Sequence, residues 1–142
     1  MSLRTARSAI VCLVNRERRA RGLRGLRTAR SLQTAALNHS YDMRRRGYFA
    51  HQRSGGPALR TRVRRTGYPS GSRSWRAQEN LAMGSRRLGT PRRLVRAWMN
   101  SSSHRRTLLD PGLRHIGPGL VWGRPGSKSS RYSMVTLDFG RR

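Results

Sequence analysis

The order of two periodicities constrains this chain most. Apolar residues recur at helical spacing through its first half, whereas strand-like runs come late, at 115–123 and 132–140. Alternating helices and strands would predict a wound parallel sheet. Helices first and strands late predict an α+β fold instead, with the two final strands paired as a hairpin across the turn 124–131.

The helical part resolves into segments. Leu3, Ala6, Ile10, Leu13 and Val14 predict a first helix over 3–21, stopped by Gly22. After a connector at 23–27, Thr28 is placed to cap a second helix whose inner face reads Leu32, Ala35, Ala36, His39 and Met43, with Gly47 ending it. A short helix is expected at 58–66, and a short strand or bend at 78–84. Thr90 and Pro91 suit the cap and first position of a further helix carrying Leu94, Val95 and Trp98. That helix runs into Ser101, Ser102 and Ser103, and His104 follows where a second helical turn restarts. Ser102 or Ser103 is expected to accept a hydrogen bond from a free amide of that turn, which makes a corner and fixes His104 at it. The 142 residues, without an internal repeat or a long linker, predict one domain over 1–142.

Charge narrows the partners. The formal net charge is +27, with 32 basic residues against five acids, and Lys128 is the single lysine. A GC-rich genome explains arginine in place of lysine but not the scarcity of acids. Such a surface repels its own kind, predicting a monomer, and attracts polyanions: nucleic acid, anionic lipid or acidic cell-wall polymer. The arginines are spread along the chain, which favours salt-sensitive attraction over sequence reading. No apolar run approaches the ~20 residues of a membrane helix, and residues 2–9 lack the apolar core of a signal peptide. Cys12, the only cysteine, lies in the apolar run 10–14 and is expected to be a buried, inert thiol.

The polar residues suggest one constellation. Glu79 sits among Trp75, Ala77, Leu81 and Met83, and a carboxylate in such company needs a partner. His51, Glu79 and His104 each fall at a junction between elements, from which their side chains could converge. Two imidazoles and a carboxylate, with a fourth position for water, form a common zinc set. The alternative is that each histidine is singly hydrogen-bonded, with His39 a satisfied core residue or a support behind the cluster. No phosphate-binding glycine loop, paired-cysteine motif or nucleophile elbow is present.

Taken in order, the pieces 12–18, Leu32 with Ala35-Ala36, 39–43, Tyr48-Phe49-Ala50-His51, Glu79-Asn80-Leu81-Ala82, Ala97-Trp98-Met99-Asn100-Ser101 with His104-Arg105, His115-Ile116-Gly117, and Thr136 with Asp138-Phe139-Gly140 form a set. It resembles a bacterial CAP (SCP-like) domain, of the superfamily of cysteine-rich secretory proteins, antigen 5 and plant pathogenesis-related class 1 proteins. The likeness runs over about 8–140.

The resemblance implies a three-layer α-β-α sandwich with a central antiparallel sheet and a surface cleft. Animal and plant members line that cleft with two His and two Glu, which can hold a divalent metal such as zinc. The first His matches His51 and one Glu matches Glu79. The helix Glu falls on Ser101 and the final-strand His near Met134, so half the tetrad is absent. His104 offers a replacement ligand, giving His51, Glu79 and His104 as the metal set, with His39, Asn80, Ser101 and Met134 as their cleft neighbours. Gln78 replaces a usual glycine and is expected to reshape the cleft mouth.

Bacterial members often carry an export signal and an N-terminal extension, sometimes with a second cysteine. The chain is therefore expected to be a trimmed or mis-started reading of a secreted protein, with Cys12 an orphaned disulfide half. The leading expectation is an exported or cell-surface binding module with a zinc cleft. The rivals are a metal-dependent hydrolase with Glu79 as base, and an arginine-driven polyanion-binding protein.

Overall fold

The computed structural model of the chain describes residues 1–142. The two late runs form the expected hairpin. Strand β3 (His115–Trp122) pairs antiparallel with β4 (Tyr132–Arg141), from His115 opposite Gly140 to Trp122 opposite Ser133. The short strand or bend expected at 78–84 is a strand, and a longer one: β2 (Arg76–Ser85), antiparallel to the other side of β4 along its whole length. Three consecutive polar residues, Gln78, Glu79 and Asn80, hide its alternation in the sequence.

The sheet has a fourth strand that no periodicity in the sequence predicts. Arg27 and Thr28 form β1, which runs parallel to β3 beside His115 and Ile116, giving the order β1-β3-β4-β2. Two residues are too few to leave a periodic signal. Thr28 is therefore strand and not a cap: Ala29 precedes helix α2 (Arg30–Arg46) and makes no side-chain capping bond. Beyond Ile116 this side of β3 has no neighbour, which is where a sheet tolerates Pro118.

Helices cover both faces of the sheet. On one side, α1 (Leu3–Arg19), α4 (Pro91–Met99) and α5 (Ser102–Leu108) enclose the main core, where Ile10, Val14, Trp98 and Leu108 meet Ile116, Leu120, Val135, Leu137 and Phe139. On the other side lie α2 and α3 (Leu59–Arg65), over a smaller core of Leu32, Ala35, Val63 and Tyr68. The result is an α+β, three-layer sandwich.

Helix α2 rests directly on glycines. A methyl group on Gly117 would collide with the backbone of Leu32 and Gln33, and one on Gly119 would lie 2.6 Å from the Ala36 carbonyl oxygen. At this crossing the Ser40 hydroxyl donates to the Gly119 carbonyl at 2.6 Å and meets the Thr136 hydroxyl at 2.8 Å. The small residues of the helix and the glycines of the strand thus answer one another.

Two further expectations are corrected. Cys12 is exposed, because Ala6, Ile10 and Val14 set the buried stripe of α1 and Cys12 lies off it. The apolar run is wider than the face it buries. At the serine corner neither Ser102 nor Ser103 is the cap, since both lie in the first turn of α5. Ser101 precedes that turn, and its hydroxyl pairs with His104 Nδ1 at 2.8 Å instead of a backbone amide.

Candidate functional site: a buried carboxylate held by arginine and histidine

Neighbouring residues of a strand point to opposite faces of the sheet, and β2 uses this to serve both helical layers. Glu79 turns toward α3. Its Oε1 accepts from His51 Nδ1 at 2.9 Å and from Arg62 Nη2 at 3.1 Å, and its Oε2 accepts from Arg62 Nη1 at 2.9 Å. Arg62 Nη2 also donates to the His51 carbonyl at 2.8 Å, which fixes the loop leading out of α2. The Glu79 side chain is 1% exposed and that of Arg62 9%, so this is a buried ion pair, while the His51 side chain is 59% exposed.

Gln78 and Asn80 turn the other way. Asn80 Nδ2 donates to the His104 backbone carbonyl at 3.1 Å. Gln78 Nε2 donates to Asp110 Oδ2, which with Oδ1 also takes a two-pronged Arg76 pair at 2.7 and 2.9 Å. Arg76 holds the Asp110 carboxyl well below its usual range. Gln78 thus anchors the segment after α5 and does not shape a cleft beside Glu79.

The structure therefore brings His51 and Glu79 together and leaves His104 beyond the opposite face of β2, facing Ser101. Met134 is fully buried in a small core with Met43, Leu81 and Val121. His39 is buried and meets the Ala50 carbonyl through Nε2 at 2.8 Å, with its ring edge-on to Tyr48, so it supports the residue just before His51.

A divalent ion does not fit these residues. Both Glu79 oxygens are engaged by a guanidinium whose own charge opposes a second cation. No group of three or more His, Cys, Asp or Glu side chains is placed to hold a metal. The expected convergence of His51, Glu79 and His104 fails because alternation along β2 separates their faces. Arg62, the cation actually beside Glu79, escaped notice as one of many arginines. The signal that could have found it is Leu59, Arg62 and Val63 at i, i+3 and i+4, which places Arg62 beside the buried stripe of a short helix.

Asp138 sits directly opposite Glu79 on β4 and is wholly buried. As a carboxylate it would have no hydrogen-bond partner for either oxygen. Burial first, and then the neighbouring Glu79 charge, push its carboxyl well above the usual range, and the neutral acid donates toward Glu79. Burial alone would raise Glu79 too. The bonds from His51, Asp138 and Arg62 outweigh it and hold Glu79 at about 2. The Glu79 bond raises His51 above its ordinary value, against the opposing pull of burial. With Nδ1–H committed to Glu79, the neutral ring keeps Nε2 free to accept a proton, so the pair can act as an oriented base.

A pH test follows from the sign of the Asp138 shift. The folded chain keeps a proton that the unfolded chain releases above about pH 4, so Asp138 costs stability as pH rises. Asp138→Asn retains an amide donor toward Glu79 and removes this cost. Denaturant unfolding should show the variant gaining on the parent by up to about 1.4 kcal/mol per pH unit above pH 4, while Asp138 stays protonated. A difference independent of pH between 4 and 7 would refute the neutral acid.

Comparison with known proteins agrees with this architecture. The family model of the cysteine-rich secretory protein (CAP) family matches residues 11–139. The chain belongs to the CAP family. It is 36% identical over 114 residues to the uncharacterized protein YkwD of Bacillus subtilis (strain 168), covering 79% of this chain and 41% of that one. The chain thus spans about two-fifths of that relative's length.

Among solved structures, an outer surface protein from Borrelia burgdorferi superposes with a TM-score of 0.79 at 19% identity, covering 100% of this chain and 96% of that one. An extracellular protein containing a SCP domain from Bacillus anthracis str. Ames gives 0.78 at 24% identity, covering 98% of this chain and 41% of that one. At these identities the likeness is one of fold.

Proposed function

We propose that this CAP domain is the binding module of an exported or cell-surface bacterial protein, and that it docks through its positive surface on anionic polymers of the envelope. The supporting observation is the disposition of the five acids. Glu17 pairs with Arg21, Asp42 with Arg46, Glu79 with Arg62 and Asp110 with Arg76, while Asp138 is buried behind Glu79. Each acid is therefore spent inside the molecule. Arg18 is buried and donates to backbone carbonyls, but most of the remaining arginines reach solvent without an acid partner, so a net charge of +27 acts mainly outward.

The descriptions of the structural relatives as outer-surface and extracellular proteins support export. No helix is long and apolar enough to cross a membrane. The same charge keeps copies of the chain apart and favours a monomer.

Binding of the purified chain to sodium polyphosphate across a salt series tests the reading. Affinity should fall at least about tenfold between 50 and 200 mM salt, on a straight log–log line, because each neutralised phosphate releases a counterion. Absence of binding at low salt, or affinity indifferent to salt, would overturn it.

A further inference from the structure

The basic surface is not uniform. A cleft of about 910 Å³ opens between α2, α3 and the β3–β4 turn, walled by Arg44, Arg45, Arg53, Arg62, Arg65 and Lys128, with Asp42 its only acid. The turn is fastened in place: Gly126 N donates to the Arg44 carbonyl at 2.8 Å, and Arg44 Nη1 donates to the Trp122 carbonyl at 3.0 Å.

The charges within the cleft are not cancelled. Asp42 is already engaged by Arg46 at 2.8 Å and by the Tyr48 hydroxyl at 2.6 Å. Arg62 is matched by Glu79, and Arg53 Nε lies 3.6 Å from Asp42 Oδ2, yet neither Nε–H, though buried, has a hydrogen-bond partner. Arg65 and Lys128 are exposed and form no ion pair, and the Arg45 side chain is 74% exposed with only a 3.4 Å approach to Asp42. Thr34 and Asn38 add exposed neutral hydrogen-bonding groups, and few lining residues are hydrophobic. Such a wall suits a hydroxylated anion and offers little to a lipid chain.

We propose that this cleft is a binding site for a phosphodiester-linked chain with a hydroxylated backbone, with Arg45, Arg65 and Lys128 meeting successive phosphates. The guanidinium groups give each phosphate oxygen a fork of donors, and the ammonium adds a point charge. The proposal rests on the polyanion reading above and gives it a location and a ligand chemistry.

Two charge-matched variants of the full chain separate the site from the general field. One is Arg45→Glu with Arg65→Glu and Lys128→Glu. The other is Arg16→Glu with Arg92→Glu and Arg96→Glu, all three exposed beside the groove between α1 and α4. Both carry the same change in net charge at exposed positions, and unchanged melting temperatures confirm folding. Poly(glycerol phosphate), which keeps a free hydroxyl in every unit, and single-stranded DNA, which has none along its backbone, are the probes; the parent chain should bind the first more tightly, and a preference for the DNA would overturn the hydroxylated ligand.

The cleft variant should lose about thirtyfold or more in affinity for the preferred probe at 50 mM salt, and its salt slope should flatten by about two. The control should lose less than about fivefold. Equal losses in the two variants would overturn the cleft while leaving the surface-wide reading intact. A parent chain that binds neither probe would overturn that reading itself.

Discussion

Arg62→Ala is expected to destabilise the fold by about 3–5 kcal/mol, because it leaves a buried carboxylate without its counter-charge. The pair is two-pronged and nearly closed to water, with the Glu79 side chain 1% exposed and Arg62 9%. His51 cannot replace the guanidinium at neutral pH unless it stays protonated, and its ring is largely in solvent. Arg62→Lys should recover only part of the loss, since an ammonium cannot reach both oxygens in the same plane. The double variant Arg62→Leu with Glu79→Leu should lie much nearer the parent, because it removes both charges together. Denaturant unfolding of the three variants checks this, and a loss below about 1 kcal/mol in Arg62→Ala would refute a dry ion pair.

The second large effect is expected at the crossing of α2 over β3. Gly119→Ala adds a methyl group 2.6 Å from both the Ala36 carbonyl oxygen and the Leu37 amide nitrogen, and both obstacles are backbone atoms. No rotamer change relieves such a clash. The helix must lift, which breaks the Ser40–Gly119 bond and loosens the contact with Thr136. A loss of about 3 kcal/mol or more is expected, at or beyond the upper range of overpacking. Gly22→Ala is the contrasting case: its φ of +69° strains any side chain, but nothing lies within 4 Å of the added carbon. That variant should lose only about 1 kcal/mol. Thermal melts of the two variants separate crowding from backbone conformation, and equal losses would show that the crossing is not tight.

Much of the fold was legible because its elements carry their own signals. The apolar stripes of α1 and α2, Gly47 in the left-handed conformation at the end of α2, and the Thr90–Pro91 start of α4 can be read from local chemistry. Strand β1 was invisible because two residues have no period. Its position depends on Asn15, whose amide exchanges bonds of 3.0 and 2.7 Å with the Leu26 backbone from a distant helix.

At the site, the pairing of Glu79 with His51 was foreseeable from a carboxylate in apolar company and a histidine at a helix exit. The third partner was not. His104 looked suitable because it sits at a corner, but which face of β2 that corner adjoins depends on strand register. Arg62 and Asp138 were overlooked for opposite reasons. One was a single arginine in a crowd, and the other lay in a strand where its cross-strand neighbour could not be known.

The alternation of Gln78, Glu79 and Asn80 has a mechanical consequence for the sandwich. A single three-residue stretch is bolted to Asp110 and the His104 carbonyl on one side and to Arg62 and His51 on the other. The two helical layers therefore cannot shear past each other without tearing one set of these fastenings. Strand β2 behaves as a strut, and the wall of the cleft that Arg62 helps to form inherits its stiffness from the far side of the sheet.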